Sequence, residues 1–426
     1  MHTIHLLENL NVFIAILFAV IYFYQLIYLL IGLVRPKGRV SEGIPQLHRY
    51  AAVICARNEA GVIRELIFSL KGQNYPKDYL DIYVVADNCT DQTAKVARRA
   101  GAIVYERVHP TLKGKGYALD FLFHTLANEG KDQYDAYLIF DADNLVDPEF
   151  TAEMNRVFDT NKYSAITCYR NSSNLGSNWI SAGYAIWFLR EARFLNFPRM
   201  LLGSNCHVSG TGFLVSAEVI RENGGWPYHL LTEDIEFSVS CALKGRRIGY
   251  CEKAIVYDEQ PTTFKQSWDQ RMRWTKGFYQ VNANYSAALL GNFIKKPGRR
   301  GWSCYDMFVT VAPGMLLTLT FILFNLIICL SCLGQPSYIT ARILDLSAEF
   351  ISSTLLNFYI GLMIYGLLTV LCEWKRIRIP TYQKFLYVFT FPIFMFTYIP
   401  ISLSALVAKV EWKPIYHGNR KSLEKA

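Results

Sequence analysis

The chain has 426 residues, a net charge of +9 and a hydrophobic fraction of 52%. This length allows two or three domains. No basic stripe with a known nucleic-acid-binding motif accompanies the positive charge, so nucleic acid is not an expected partner. The ten cysteines do not form a metal-binding framework, because Cys329 and Cys332, which have C-x-x-C spacing, lie inside an apolar run where packing is the expected role.

The hydrophobic residues are concentrated in segments long enough to cross a bilayer. The first, 12–34, is a nearly unbroken apolar run without charge. Arg35, Lys37 and Arg39 follow it and no Lys or Arg precedes it, so the positive-inside rule places the N-terminus outside and the next segment in the cytoplasm. Three further spans are predicted at about 305–333, 351–372 and 385–410.

The connections between these spans carry charges that agree with this orientation. The connection after residue 372 is rich in Lys and Arg and is predicted to be cytoplasmic, whereas 334–350 contains a single basic residue and is predicted to lie outside. Four spans would also place the basic tail, 411–426, outside. A re-entrant hairpin in the last span, which contains Pro392 and Pro400, would return the tail to the cytoplasm, and both arrangements stay open.

Strand-like and helical patterns alternate between the first and second spans. Strands are predicted at 50–55, 82–86, 102–105 and 136–140, and helices at 62–70, 93–99 and 116–127. This alternation predicts an α/β domain whose parallel, doubly wound sheet is covered by helices. No G-x-G-x-x-G follows the first strand and no P-loop is present, which disfavours a dinucleotide-binding fold and a P-loop nucleotidase.

Carboxylates follow two of these strands, at the edge where ligands bind in α/β sheets. The fourth strand ends in Asp141 and Asp143, whose side chains point the same way in an extended chain. They suit Mg²⁺ or Mn²⁺ that is also held by substrate phosphates. Asp87 follows the second strand and could accept hydrogen bonds from a nucleobase or a ribose. An Asx-rich turn and an N-cap aspartate are the respective alternatives.

Two glycine-containing segments have the composition of ligand-binding loops. The sequence Lys-Gly-Lys-Gly at 113–116 precedes a helix, which suits a diphosphate at the helix N-terminus, although a solvated basic loop has the same composition. The segment 207–213 is Gly-rich and able to approach a ligand closely. His207 itself is predicted to be structural, because no metal partner is nearby in the sequence.

An acidic pair precedes the predicted helix 235–243. Thr232 is the expected N-cap of this helix, and Glu233 and Asp234 follow it. Asp234 is a candidate general base, because the helix dipole would keep it ionised and able to take a proton from a hydroxyl. A pair of acidic residues that only caps the helix is the alternative.

A second candidate motif places an amide, a guanidinium and an indole on one helix face. Gln270, Arg273 and Trp274 lie at i, i+3 and i+4. The Arg can neutralise a departing diphosphate, and the Trp can stack on a sugar. An interfacial helix with snorkelling Arg and a membrane-anchoring Trp would have the same pattern, and both interpretations can hold for one helix.

Together these residues resemble the family 2 glycosyltransferases, in particular the membrane-embedded synthases of cellulose, chitin oligosaccharide, hyaluronan and poly-N-acetylglucosamine. The resemblance covers about 50–280, and the flanking spans are also similar. The motifs that carry it are the Arg-Asn-Glu loop at 57–59, Asp87, Asp141-Ala-Asp143, Thr232-Glu-Asp234 and Gln270-x-x-Arg273-Trp274.

The resemblance implies a GT-A fold, a UDP-linked sugar donor, bound Mg²⁺ or Mn²⁺, and a role for each motif. Asp143 would ligate the metal and Asp234 would deprotonate the acceptor. The segment Gly-Thr-Gly-Phe at 210–213 departs from the Cys-containing loop of cellulose synthases, which leaves the acceptor sugar open. The implied donor-binding residues are Ala56, Asn58, Glu59, Asp87, Lys115 and Asp141, and those for the diphosphate and the acceptor are Glu233, Gln270, Arg273 and Trp274.

The resemblance further implies an inverting transfer from UDP-N-acetylglucosamine or UDP-glucose to the hydroxyl of a growing β-linked polysaccharide. Single addition to a membrane lipid carrier or glycolipid is the alternative. A transporter with a nucleotide-sugar sensor is disfavoured, because the spans are almost free of charge. The chain is expected in the plasma membrane with its catalytic domain in the cytoplasm, alone or with an oligomeric or accessory partner.

The expected organisation has five parts. They are an N-terminal span with a linker (1–40), a catalytic domain (41–262), interfacial helices (263–303), three C-terminal spans (304–410) and the basic tail (411–426).

Overall fold

The computed structural model describes residues 2–35, 44–312, 314–331 and 337–410. The predicted basic tail lies outside this part of the chain, as do Lys37 and Arg39 after the first span. The described residues form an α/β domain and a group of long apolar helices packed against it.

In the described part of the chain, eight strands form one mixed, mostly parallel sheet. Their order across the sheet is β3-β2-β1-β4-β7-β6-β8-β5. Strand β7 runs antiparallel to β4 and β6, β5 runs antiparallel to β8, and the other pairs are parallel. The predicted α/β fold with a mainly parallel sheet is therefore confirmed. The strands are β1 (Tyr50–Ala56), β2 (Leu80–Asp87), β3 (Ile103–Arg107), β4 (Ala136–Asp141), β5 (Leu145–Val146), β6 (Ala165–Ser172), β7 (Phe213–Ser216) and β8 (Ile248–Asp258).

Helices cover both faces of this sheet. Side chains of β1 alternate between two cores: Ala51 and Val53 pack with α4, α6, α8 and α9, whereas Ala52 and Ile54 pack with α2, α3 and α5. The helices in chain order are α1 (His2–Val34), α2 (Ile63–Lys71), α3 (Thr93–Ala100), α4 (Lys115–Asn128), α5 (Phe150–Phe158), α6 (Trp179–Glu191), α7 (Phe197–Leu202), α8 (Ala217–Asn223), α9 (Glu233–Lys244), α10 (Phe264–Lys295), α11 (Arg299–Val311), α12 (Gly314–Ser331), α13 (Ser337–Cys372), α14 (Thr381–Phe396) and α15 (Tyr398–Val407).

Within the described ranges, three stretches of helix are long and apolar enough to cross a membrane. They are Glu8–Val34, Ser337–Cys372 and Thr381–Val407. The last of them is divided into α14 and α15 at Thr397, and both helices contain a proline, Pro392 and Pro400 respectively. These stretches overlap the first, third and fourth predicted spans. The arrangement of an α/β domain flanked by apolar helices therefore agrees with the expectation from the sequence.

The predicted second span, 305–333, covers parts of two helices, α11 and α12. Helix α11 ends at Val311 and packs on α9 and α10. Its residues Cys304, Met307 and Val311 therefore belong to a hydrophobic core of the α/β domain. Only α12 continues into the apolar stretch. Asp306, inside the predicted span, is fully buried and accepts a hydrogen bond from the distant Arg199, a contact that the local apolar composition does not reveal.

Helix α1 is hydrogen-bonded to Asp306 of the α/β domain. The hydroxyls of Tyr24 and Tyr28 each donate to this carboxylate at 3.0 Å. Arg199, on α7, donates to both oxygens of the same group at 2.8 Å. Because burying a carboxylate is unfavourable without such donors, the first span and the domain form one packed unit.

Candidate active site

A cavity opens at the carboxyl ends of β1, β2 and β4. Its lining includes all the predicted site residues except Asn58. They come from loops after the strands and from the starts of α4, α9 and α10, because parallel strands bring their carboxyl ends to one edge of the sheet. The residues from the prediction that line the cavity are Ala56, Glu59, Asp87, Lys115, Asp141, Asp143, Glu233, Asp234, Gln270, Arg273 and Trp274.

Asn58 holds a loop instead of facing the cavity. Its backbone has a φ of +59°, a conformation that Asn tolerates better than most residues. Its side-chain oxygen accepts hydrogen bonds from the backbone N–H of Thr90 at 2.8 Å and from the Thr90 hydroxyl at 3.3 Å. The side chain therefore joins the loops after β1 and β2, and its contact with the donor stays a prediction.

Asp87 is buried at the end of β2 beside a cation that the sequence pattern did not reveal. Nη1 of Arg107 donates to Oδ1 of Asp87 at 2.6 Å, and both side chains are more than nine-tenths buried. The amide of Asn88 donates to the same oxygen at 2.9 Å. These bonds fix the carboxylate so that it remains an acceptor for a group bound in the cavity.

Lys115 lies at the N-terminus of α4, between a carboxylate and a backbone carbonyl. Its Nζ is 2.5 Å from Oδ1 of Asp141 and 2.5 Å from the carbonyl oxygen of Gly210. Burial opposes its charge, but the nearby Asp141 and Glu233 raise the pKa of Lys115 overall. A fixed positive charge at a helix N-terminus is suited to a phosphate.

Asp141 and Asp143 are the candidate metal-binding carboxylates. Among the residues that the structure describes, no cluster of three or more His, Cys, Asp or Glu side chains could enclose a metal ion. Mg²⁺, and similarly Mn²⁺, is commonly held by one or two carboxylates together with substrate phosphates and water. The two aspartates, which line the same cavity, therefore fit an ion that binds with a diphosphate and do not fit a closed protein cage.

Gly210 separates the aspartates of β4 from the acidic pair at the start of α9. A Cβ atom at Gly210 would lie 3.5 Å from Oδ2 of Asp234 and 3.9 Å from Oδ2 of Asp141. The two carboxylates thus face each other across a backbone segment without a side chain. Its φ of +84° is readily adopted only by glycine.

Glu233 and Asp234 begin α9, but the capping hydrogen bond expected from the Thr232 side chain is absent. The side chain of Thr232 makes no capping hydrogen bond, and within the described residues its hydroxyl is buried without a partner. Gly277 of α10 packs closely against this side chain, since a Cβ there would lie 2.5 Å from the Thr232 methyl group. Thr232 therefore occupies the predicted N-cap position of α9, but its side chain packs against α10 and makes no capping hydrogen bond.

Burial strongly affects the protonation of Glu233 and Asp234. Burial and the neighbouring Asp234 raise the pKa of Glu233 to about 8. Burial also raises the pKa of Asp234, although the backbone N–H of Ile235, Lys115 and His207 act against it. Burial, the largest effect on Asp234, opposes the ionised form that the helix dipole was expected to favour. Burial and the adjacent Asp234 favour the protonated form of Glu233.

The raised pKa predicts a stability that falls as pH rises. In the unfolded chain Glu233 ionises near its ordinary value of 4.5, whereas in the folded protein it ionises near 8. Between these values the unfolded state binds fewer protons, so the free energy of unfolding decreases with pH. We expect Glu233→Gln to raise the melting temperature relative to wild type by an amount that grows from pH 5 to pH 8. A difference that stays constant with pH, as expected for the exposed Glu218→Gln control, would contradict this.

Helix α10 contacts the cavity with one face and the last apolar helices with another. Gln270, Arg273 and Trp274 line the cavity, and the Trp274 ring meets Tyr184 edge-on with centroids 5.7 Å apart. On the other face, Nη1 of Arg271 donates to the Thr397 hydroxyl of α15's N-cap at 2.6 Å. Helix α10 is therefore both a wall of the cavity and the support for the last apolar helices.

Several polar residues of the cavity wall were not predicted as site residues. Arg170 lies near the carboxyl end of β6 and Asp258 is the last residue of the parallel strand β8, and Nε of Arg170 donates to Oδ2 of Asp258 at 3.0 Å. Charged residues at strand ends are the signal that identified Asp87 and Asp141, so the same rule applied to β6 and β8 would have found this pair.

His207, predicted to be structural, forms part of the cavity wall. Its Nδ1 lies 2.8 Å from Nη1 of Arg199, which can only donate, and its Nε2 lies 3.1 Å from Oε1 of Glu191. Glu191 also lines the cavity. The histidine therefore links the catalytic cavity to the buried Arg199–Asp306 pair that anchors α1.

The sequence comparisons identify the family to which the chain belongs. The chain belongs to the glycosyltransferase-like family 2, whose family model matches residues 45–277. It is 27% identical over 297 residues to the probable glycosyltransferase YdaM of Bacillus subtilis. This match covers 64% of this chain and 63% of that protein.

The names of two further relatives indicate different products. The chain is 25% identical over 304 residues to a beta-monoglucosyldiacylglycerol synthase of Nostoc (67% of this chain, 62% of the relative). It is 26% identical over 266 residues to a poly-beta-1,6-N-acetyl-D-glucosamine synthase of Staphylococcus epidermidis (58% of each chain). The matches thus span less than two thirds of the length of these relatives.

Among solved structures, the chain is similar to the mannosyltransferase PcManGT of Pyrobaculum calidifontis in complex with GDP-Man and Mn²⁺. The sequence identity is 16%, the TM-score is 0.49, and the match covers 81% of this chain and 99% of the other.

Proposed function

We propose that this protein is an inverting glycosyltransferase that moves a sugar from a UDP-sugar to a hydroxyl group at the membrane. The observation that carries this proposal is the single cavity in which Asp87, Asp141, Asp143, Asp234 and Arg273 come together. Family membership supports the reaction class. UDP-N-acetylglucosamine and UDP-glucose are the proposed donors.

The donor would bind along the carboxyl edge of the sheet. Asp87, held by Arg107, would accept hydrogen bonds from the uridine, with Ala56 and Glu59 beside it. The diphosphate would lie between Lys115 at the start of α4 and Arg273 on α10, since both are cations that line the cavity. Mg²⁺ or Mn²⁺, held by Asp143 beside Asp141, would neutralise charge on the diphosphate when bound.

Catalysis would be a single displacement at C1 of the donor sugar. The acceptor hydroxyl gives its proton to Asp234 while its oxygen forms a bond to C1, and the bond from C1 to the diphosphate oxygen breaks on the opposite side. UDP leaves with the electron pair, and its charge is stabilised by Arg273 and Lys115. The configuration at C1 inverts, so an α-linked donor gives a β-linked product.

The acceptor would lie against the aromatic wall of the cavity. Trp187, Phe188 and Trp274 offer apolar faces on which a sugar ring can stack. A growing β-linked polysaccharide is the first proposed acceptor. A membrane lipid or glycolipid is the second, because α6, which carries part of this wall, packs against the apolar helices α13 and α14.

We propose the domain division and orientation expected from the sequence for the whole protein. The catalytic domain would be 41–262, and α10 and α11 would supply the interfacial region, 263–303. The domain would face the cytoplasm of a cell whose plasma membrane is crossed by the apolar helices.

The test of this proposal is UDP release by detergent-purified protein. UDP-N-acetylglucosamine, UDP-glucose, UDP-galactose and UDP-glucuronate would each be supplied with Mn²⁺ or Mg²⁺ and with a lipid extract as a source of acceptor. We expect release with one donor and its loss when EDTA removes the metal. The product length would then separate polymerisation from single addition. Absence of release with every donor would contradict the proposed function.

A further inference from the structure

Glu191 is the last residue of α6 and lies in the wall of the catalytic cavity, one helical turn after Trp187. Residues four positions apart share a helix face, so a carboxylate and an indole stand side by side in this wall. Trp274 of α10 lines the same cavity. This part of the wall thus combines aromatic rings with a hydrogen-bond acceptor.

The orientation of Glu191 is fixed by His207. Arg199 can only donate, so Nδ1 of His207, 2.8 Å from Nη1 of Arg199, is the acceptor. The ring proton is therefore on Nε2, which lies 3.1 Å from Oε1 of Glu191 and donates to it. Arg199 is in turn held by both oxygens of the buried Asp306. This chain of contacts holds one oxygen of Glu191 in place.

The remaining acceptor positions of Glu191 are open to a bound group. A carboxylate can accept about four hydrogen bonds, and among the described residues His207 alone lies within hydrogen-bonding distance of this one. Burial opposes the charge of the carboxyl, but His207, Arg199 and Arg170 lower its pKa overall. An ionised carboxylate accepts hydrogen bonds and repels phosphates, so its partner in the cavity is a neutral hydroxyl and not the diphosphate of the donor.

We propose that Glu191 binds a second hydroxyl of the acceptor, beside the hydroxyl that reacts, and thereby selects an acceptor that presents a sugar unit. This inference rests on the proposed sugar transfer to a hydroxyl activated by Asp234. A sugar ring offers several hydroxyls at its edge and an apolar face that can stack on an indole. A diacylglycerol has a single free hydroxyl, which would leave the buried charge of Glu191 without a donor, and this is unfavourable. The end of a polysaccharide or the sugar of a glycolipid therefore fits the cavity, and a bare lipid hydroxyl does not.

The experiment measures binding of a sugar acceptor without any sugar donor, so its outcome is separate from that of the UDP-release assay. Protein in phosphatidylcholine nanodiscs, free of sugar-based detergent, is mixed with UDP and Mn²⁺ and titrated by calorimetry with cellobiose and with N,N′-diacetylchitobiose. These disaccharides contain the β-linked units that the proposed donors would supply. The variants are Glu191→Gln, Glu191→Asp and the control Glu218→Gln, which changes an exposed carboxylate on α8 outside the cavity.

We expect wild type to bind one of the disaccharides and Glu191→Gln to bind it about tenfold or more weakly, because a hydrogen bond to a charged group is lost. Glu191→Asp keeps the charge but shortens the side chain, so it should also bind the sugar more weakly, and it replaces Glu191→Gln if that variant does not fold. Glu218→Gln should bind like wild type, and the affinity for UDP should be unchanged in all variants.

Three results would overturn the proposal. Binding of neither disaccharide, or equal sugar affinity in wild type and Glu191→Gln, would remove Glu191 from acceptor recognition. An equal loss of affinity for UDP would assign Glu191 to the support of the fold. Displacement of the disaccharide by dioleoylglycerol added to the nanodisc would assign the site to a lipid hydroxyl.

Discussion

Asp234→Asn is expected to lower the rate of sugar transfer by about 10²–10⁴-fold or more while the donor still binds. The substitution keeps the shape of the side chain and removes the base that takes the acceptor proton, and general-base catalysis typically contributes a factor of this size. The neighbouring Glu233 does not replace the base, because its burial, which the variant leaves in place, raises its pKa.

The measurement combines the rate of UDP release with the dissociation constant for the donor from calorimetry. Glu218→Gln, an exposed substitution on α8 outside the cavity, is the control for a change from carboxylate to amide. Wild-type turnover in Asp234→Asn would remove Asp234 from the mechanism. A loss of donor affinity equal to the loss of rate would assign Asp234 to binding.

Gly210→Ala is expected to abolish most of the activity, and Gly224→Ala is its matched control. Both glycines have positive φ values, +84° and +68°, so each substitution carries the same backbone cost of about 1–3 kcal/mol. A Cβ at Gly210 would enter the space between Asp234 and Asp141, whereas one at Gly224 would meet no atom within 4 Å.

The carbonyl of Gly210 also accepts a hydrogen bond from Lys115, so a shift of this segment displaces a proposed phosphate-binding cation. A displacement of about 1 Å in a catalytic group can reduce the rate about 100-fold. We therefore expect similar melting temperatures for the two variants and a loss of at least this size in UDP release for Gly210→Ala alone. Equal activities would show that the segment does not border the reacting groups.

The features that the sequence predicted are those with local signals. Buried strands read as apolar runs, and the carboxylates Asp87, Asp141 and Asp143 follow them directly, so both the sheet and its ligand-binding edge were predictable. The face formed by Gln270, Arg273 and Trp274 follows from helix periodicity alone.

The features that the sequence did not predict depend on pairs distant in the chain. Arg107, on the neighbouring strand β3, donates a hydrogen bond to Asp87. Asp306 is neutralised by Arg199, which lies 107 residues away. The failure of Thr232 as a cap depends on its packing against Gly277. The charge of Asp234 depends on burial, which becomes visible only when α9, α10 and the sheet are assembled.

The contacts of Asp306 also bear on how the protein is made. Tyr24, near the start of the chain, reaches a carboxylate 282 residues later, and Arg199 joins that same carboxylate to His207 in the cavity wall. During synthesis, the first apolar helix emerges long before its partner α11. The cavity wall therefore reaches its final arrangement only after translation has passed α11, and a fragment that starts beyond α1 would leave a buried carboxylate with two of its donors missing.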